Sequence, residues 1–419
     1  MQRRGSDARP VDLAIIGGGP AGAAAALEAR RRGLQVAVWE RDSFPRHKVC
    51  GEFVSPESLP LLQQEIPSAL ARSAVIRRAE FVVQRGRRYI FTLPSAARGL
   101  SRLVLDEALW RAATSSGAEA YEGTLVRGLR RRSADLRTSD DQGTSSETSC
   151  WLPPHLGNVT PEQQLWEVQL AAGGSRVARA ALVACGRWWS LTGLASPTQD
   201  RRSVGPWLAA KAHFAGVPPG DAAEMHFFPG GYCGLAPIED GLLSACCLVH
   251  RCLLRRAGAG LLQDFALWLK KVARHPALDA RLHDATQVSQ TIATAPLQPM
   301  LRRADESGAL LAGDAAGFLD PFTGDGISQA LLAGRLAAEC VARACTDDPE
   351  SLLLAADAYR RRLRQAVGSS YRVAGLLRLL VRAPAELQEF AAMFLPGIGA
   401  RLVSKTRWQA DLAFDAPSD

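Results

Sequence analysis

Two groups of residues in this chain have the types and spacing to hold a dinucleotide: Gly17-Gly18-Gly19-Pro20-Ala21-Gly22, and far downstream Gly313-Asp314 followed by Gly324-Asp325-Gly326-Ile327. In the first group, Gly17 permits a tight turn after a strand and Gly19 lets the backbone approach a pyrophosphate. Gly22 lets a helix pack closely on that strand. Pro20 and Ala21 open the helix, whose free N–H groups and partial charge of roughly half a unit would face the phosphates. Glu40 ends the next apolar segment, where a carboxylate can accept hydrogen bonds from both ribose hydroxyls, and Arg41 beside it can cover an adenine or meet phosphate. This group suits FAD and NAD equally.

The second group separates them. Asp314 follows the apolar segment Ala309-Leu310-Leu311 and Gly313, and suits hydrogen bonding to a ribityl hydroxyl. Gly324 and Gly326 free the backbone ahead of a helix beginning at Ile327. The N-terminus of that helix would face the pyrimidine edge of a flavin and stabilise the negative charge of its reduced form. The two groups together point to FAD.

Apolar periodicity supplies the elements that position these residues. Val11–Ile16 reads as a buried parallel strand, Ala21–Arg32 as an alanine-rich helix and Gln35–Glu40 as a second strand, which makes a βαβ unit. Phe81–Val83 and Tyr89–Thr92 flank Arg85-Gly86 as an inserted hairpin. Leu103–Ser115 reads as a helix and Thr124–Leu129 as a strand. Residues 132–164, rich in Ser, Thr, Asp, Pro and Gln, read as a poorly ordered excursion before Trp166–Leu170 and Val177–Ala184 resume the strand pattern. Trp207–Phe214, Glu224–Phe228, Tyr232–Ala236 and Leu242–Val249 alternate between turns and predict a mostly antiparallel sheet. Leu253–Leu282, Ile327–Cys345 and the tail from Ser351 read as helical, with Pro384 and Pro396 as breaks.

The expected fold class is therefore α/β: a Rossmann-like FAD-binding domain with an inserted, mostly antiparallel β-sheet substrate domain and a C-terminal helical segment. The expected boundaries are 10–75, 98–200 and 296–350 for the first, 76–97 and 201–295 for the second, and 351–419 for the third.

Composition narrows the class. An apolar share of 47% with 22% charged residues is that of a globular protein able to bury a large core. No apolar run approaches the ~18–20 residues of a membrane span, and the basic start has no apolar signal core behind it, so a cytoplasmic location is expected. Nine cysteines without a Cys-x-x-Cys pair fit reduced thiols and no metal site. The net charge of +8 is almost all arginine, in runs at predicted helix ends and loops; no nucleic-acid module accompanies it, so nucleic acid is not an expected partner.

With these motifs in place, the chain resembles the FAD-dependent monooxygenase superfamily, which includes aromatic hydroxylases, flavin halogenases and geranylgeranyl reductases. The resemblance covers roughly residues 10–345 and includes Arg102-Leu103-Val104-Leu105-Asp106, similar to the helix start that places an arginine on the cofactor. It implies Arg102 as a cofactor residue, and Val126 joins the expected cofactor set. Lys48-Val49-Cys50-Gly51-Glu52 is similar to the Lys-x-Cys-Gly-Gly loop of the reductase branch, and Tyr232–Ile238 and Thr323–Gly326 are similar to that branch too. Gly317 stands where hydroxylases usually carry His. Their central Asp-Gly motif should fall at Ala184-Cys185-Gly186-Arg187, where the aspartate is missing. Trp188-Trp189 are adjacent, unlike the spaced tryptophans of halogenases, and no lysine lies between Lys48 and Lys211.

The resemblance places the Cys50 loop beside the flavin ring. Cys50 is then a candidate proton donor, and Glu52 either an acid/base or a capping residue. His226 is either a cavity residue or a structural histidine, and Cys185 reads as a core thiol. The expected function is FAD-dependent reduction of a carbon–carbon double bond in a lipophilic substrate. The alternatives are hydroxylation in natural-product biosynthesis and, further off, halogenation or non-catalytic flavin carriage. The electron donor stays open between NAD(P)H and a reduced flavin or ferredoxin partner protein. Val373–Leu380 and Phe390–Val403 alternate arginines with leucines, which suits either packing on the main body or peripheral membrane contact.

Overall fold

The structure is a computed structural model that describes residues 9–132, 165–187, 190–194, 205–257, 263–294, 308–318, 324–347 and 351–382, together with 260, 300, 301, 393, 397 and 399. The excursion at 133–164, Trp188-Trp189, Thr323, Pro384, Pro396 and most of Phe390–Val403 lie outside the described residues, and the side chains of Val373–Leu380 do too.

The strands are β1 (Val11–Ile16), β2 (Val36–Trp39), β3 (Phe53–Val54), β4 (Ala74–Val82), β5 (Arg88–Gly99), β6 (Glu119–Tyr121), β7 (Val126–Arg131), β8 (Trp166–Leu170), β9 (Ser175–Val183), β10 (Trp207–Ala215), β11 (Ala222–Phe228), β12 (Gly231–Pro237) and β13 (Leu243–His250), with shorter pairs after them. The helices are α1 (Pro20–Arg31), α2 (Leu59–Glu65), α3 (Pro67–Arg72), α4 (Arg102–Ser115), α5 (Arg251–Ala257), α6 (Phe265–Ala273), α7 (Pro276–Arg281), α8 (Gly326–Asp347) and α9 (Ser351–Arg382).

One sheet runs β6-β2-β1-β9-β8-β7, with Leu310–Leu311 added parallel to β9. β1 is central and parallel to both neighbours, which explains its continuous apolar sequence: both faces are covered. α1 covers one face. Proline at its first position costs no hydrogen bond, and its alanines favour helix while remaining small enough for close packing. α8 lies against α1, and the contact depends on Gly334, where a Cβ would fall 2.0 Å from the Ala21 carbonyl oxygen. The helices that follow the two glycine groups thus touch each other directly.

The second sheet has β10-β13-β12-β11-β4-β5-β3 in order, antiparallel except where β11 runs parallel to β4. The hairpin residues therefore extend well beyond the short segments that periodicity marks, and they complete this sheet. Ala210, Ala212 and Phe214 of β10 join Ala245 and Cys247 of β13 on one face, packed on Phe265, Trp268 and Leu269 of α6. Alternation turns Lys211, His213, Ser244 and Cys246 to the other face. The largely helical stretch expected from Leu253 to Leu282 consists of three helices, α5, α6 and α7. Asp264 caps α6 by accepting the Leu267 N–H at 2.8 Å. Arg274 leaves that helix in a left-handed conformation, and His275 caps α7 ahead of Pro276. Among the described residues no helix is long and apolar enough to cross a membrane.

Candidate active site and cofactor cleft

After β1 the chain turns at Gly17, whose φ of +110 strains any side chain and where a Cβ would lie 2.4 Å from the Ala184 carbonyl oxygen. A Cβ on Gly22 would lie 1.8 Å from the Gly17 carbonyl oxygen, so α1 rests on the turn itself. On Gly19 it would meet only the Arg102 guanidinium, at 4.0 Å. That open side faces a cavity of about 800 Å³ also lined by Pro20 and Ala21. The first-turn N–H groups of α1 have no partner within the helix and suit a phosphate there.

Glu40 follows β2 and is buried. Its Oε2 accepts the Gly18 N–H at 2.8 Å and Arg46 Nη2 at 3.0 Å; its Oε1 accepts the Asp42 N–H at 3.0 Å and Arg46 Nη1 at 3.1 Å. Arg46, a residue that sequence reading passed over, is thus its cationic partner. Arg41 lines the cavity but is largely exposed, 3.4 Å from Asp42. Val126 opens β7 on the cavity wall.

The second glycine group reaches the same cavity. Asp314 lies in a 3-10 turn, Gly313–Ala315, with Oδ2 at 3.6 Å from Arg187 Nε. Arg187 therefore occupies the stretch where the hydroxylase aspartate is missing. Gly324 has a φ of +67 and Gly326 begins α8, with Ile327 buried behind it. Arg102 begins α4, held by Asp106 through bonds of 2.6 and 2.7 Å. Burial opposes its charge, but the Asp106 carboxylate outweighs that and raises the Arg102 pKa. Both glycine groups, Glu40, Arg102, Val126 and Asp314 line one cleft, a cradle that fits FAD.

The loop before β3 carries the candidate chemistry. Cys50 is half-buried on the cavity wall and its Sγ accepts the Glu52 N–H at 3.3 Å. Glu52 has a φ of +57, where the reductase loop it resembles carries glycine; such a conformation costs a side chain roughly 1–2 kcal/mol. Its buried carboxylate offsets that cost. Oε1 takes the Arg102 N–H at 2.8 Å and the Lys211 ammonium, and Oε2 takes His213 Nε2 at 2.6 Å. Burial alone would raise the Glu52 carboxyl, yet the His213 hydrogen bond and the Lys211 charge hold it down at about 2. This is a fixed anion that pins the loop to β10 and α4, and it does not suit the acid/base alternative. The sequence signal for its partners was available: a lysine and a histidine two apart in an otherwise apolar strand, on the face turned from the core.

His226 is buried, with Nε2 at 3.1 Å from Glu224 Oε2 and its ring 5.2 Å from that of His275, away from the cavity lining. Burial pushes the Cys185 thiol up to about 12, and its Sγ donates to the Ile16 carbonyl at 3.2 Å. The second sheet gives the same cavity an apolar part, the chamber walled by Phe81, Phe91, Leu93, Met225, Leu235 and Leu248.

Residues 12–51 match the family of FAD dependent oxidoreductases. Over 371 residues the chain is 26% identical to digeranylgeranylglycerophospholipid reductase 2 of Methanopyrus kandleri, covering 87% of this chain and 84% of that protein. Over 367 residues it is 25% identical to the flavin-dependent halogenase armH1 of Armillaria mellea, covering 80% of this chain but spanning only 66% of the halogenase. A solved variant of the flavin-dependent brominase Bmp2 shares the fold, with a TM-score of 0.68 at 18% identity over 97% of this chain and 96% of that one. With the cleft built from both glycine groups, these likenesses make the chain an FAD-dependent oxidoreductase.

Proposed function

We propose that this enzyme reduces a carbon–carbon double bond of a lipophilic substrate, adding two hydrogens across it. The observation that carries the reading is that Cys50 lines the same cavity as both glycine groups and the apolar residues of the second sheet. The Cys50 Sγ can hold the proton that such a reduction places on carbon. FAD held in the cleft, once reduced by an external electron donor, would supply the hydride, that is two electrons and one hydrogen, and return to its oxidised form. The chamber walls exclude water and take up apolar substrate through Phe81, Phe91, Met225 and Leu248. Glu52 fixes the loop, and Arg102 and the start of α8 contribute positive potential at the cleft. The likeness to a reductase over 84% of that protein's length supports the same reading.

A second reading, oxygen-dependent hydroxylation or halogenation, is favoured by the halogenase relative that covers 80% of this chain. One experiment separates them. The FAD-loaded protein is supplied with reductant and with prenyl and aromatic substrates, with and without oxygen, and products are weighed by mass spectrometry. Two added hydrogens without oxygen are expected; a product that forms only with oxygen overturns the reductive reading.

A further inference from the structure

Charged groups along the cavity are mostly committed to one another. Glu40 is held by Arg46, Lys48 by Asp42 at 3.0 Å, Arg102 by Asp106 and Glu224 by Arg281 at 2.8 Å. His47 differs. It lines the cavity two residues after Pro45 and three before Cys50, and its ring makes no hydrogen bond to any described residue. Its Nδ1 has no partner among the described residues and is closed to solvent, which leaves Nε2 as the ring nitrogen open to a ligand in the cavity. Buried polar atoms of this kind are uncommon and call for a physical explanation.

The ring is not loose. It packs edge-on against His213 with centroids 5.3 Å apart, and His213 is fixed through Nε2 to Glu52. The groups facing it are Lys211 and His213 from β10, Glu52 from its own loop and Glu239 from the β12–β13 connection. Burial first, then the charges of Lys211 and His213, lower its pKa against the opposing pull of Glu52 and Glu239. At neutral pH the imidazole therefore offers one N–H donor and one lone pair. That pair matches a hydroxyl or carbonyl oxygen.

We infer that His47 is a specificity-determining residue that hydrogen-bonds an oxygen of the substrate, so that the molecule taken into the apolar chamber carries a hydroxyl or carbonyl group. The inference rests on the chamber being the substrate site, and it narrows the lipophilic class proposed above to oxygen-bearing molecules.

Three probes of one size test it by equilibrium dialysis against the FAD-loaded protein: naphthalene, 2-naphthol and 2-methyl-1,4-naphthoquinone. At least one oxygenated probe is expected to bind about tenfold tighter than naphthalene, the worth of one good hydrogen bond. The naphthol and quinone arms tell hydroxyl from carbonyl. His47→Phe, which keeps a ring of similar shape, is expected to abolish the difference and leave naphthalene unchanged. His47→Gln, which keeps a donor and an acceptor, is expected to retain most of it. Equal binding of all three probes to the wild type, or an equal loss of all three in His47→Phe, overturns the inference while leaving the chamber as an apolar site. If naphthalene itself does not bind, the chamber reading fails and this inference fails with it.

Discussion

Glu52→Gln removes the charge from a buried carboxylate that accepts from Lys211, His213 and the Arg102 N–H, and it leaves Lys211 as a buried, unpaired ammonium. Breaking a buried pair from one side typically costs about 3–5 kcal/mol, because the remaining charge keeps its desolvation penalty. The pKa gives a similar magnitude: a fall from 4.5 to about 2 corresponds to about 3 kcal/mol favouring the ionised form. The sign follows from the depressed value. This stability is fully present above the unfolded carboxylate value of 4.5 and is lost as pH falls from there toward 2. Urea unfolding at neutral pH should show Glu52→Gln less stable by about 3 kcal/mol, and the wild type should lose a similar amount in acid while the variant loses less. Adding Lys211→Met should recover most of the loss, since replacing both members of a buried pair by uncharged groups is often close to neutral. A Glu52→Gln protein within ~0.5 kcal/mol of wild type, a change no larger than that of an ordinary surface substitution, would refute the pinning argument. So would a double variant showing the sum of the two single losses.

Three further outcomes are expected. His275 accepts the Leu278 N–H through Nδ1 at 3.3 Å, and burial lowers its pKa from 6.5 to about 4; stability should therefore be complete above pH 6.5 and fall by roughly 3 kcal/mol toward pH 4, a slope that His275→Asn flattens in acid denaturation curves. Gly334→Val should force α8 off α1, lowering stability by roughly 1–3 kcal/mol and reducing FAD content after purification, as read by absorbance. Cys50→Ala should retain FAD yet lower turnover of the reduced product by at least about a hundredfold, and unchanged turnover would remove Cys50 from the chemistry.

Much of the cofactor cleft was legible in the amino-acid sequence because it depends on local backbone rules. Gly17 is needed for a turn of positive φ, Pro20 and the alanines for a helix start, and the apolar run of β1 for a strand buried on both faces. These requirements act within a few residues and so leave marks at fixed spacing. The alternation of Trp207–Phe214 likewise marked a strand, although both of its faces are buried. The helices α2 and α3 were missed because they are short and carry little periodicity, and the break between α6 and α7 turned on capping by His275, which is an unusual capping residue. Only the tertiary structure decided what Glu52 does. Its partners Lys211 and His213 lie far along the chain, and a carboxylate's protonation is set by the charges and water around it, which sequence spacing does not carry. The same holds for Arg46 meeting Glu40, and for His47, whose neighbours come from another strand. Sequence determined where a dinucleotide can bind; folding determined which charges meet around it.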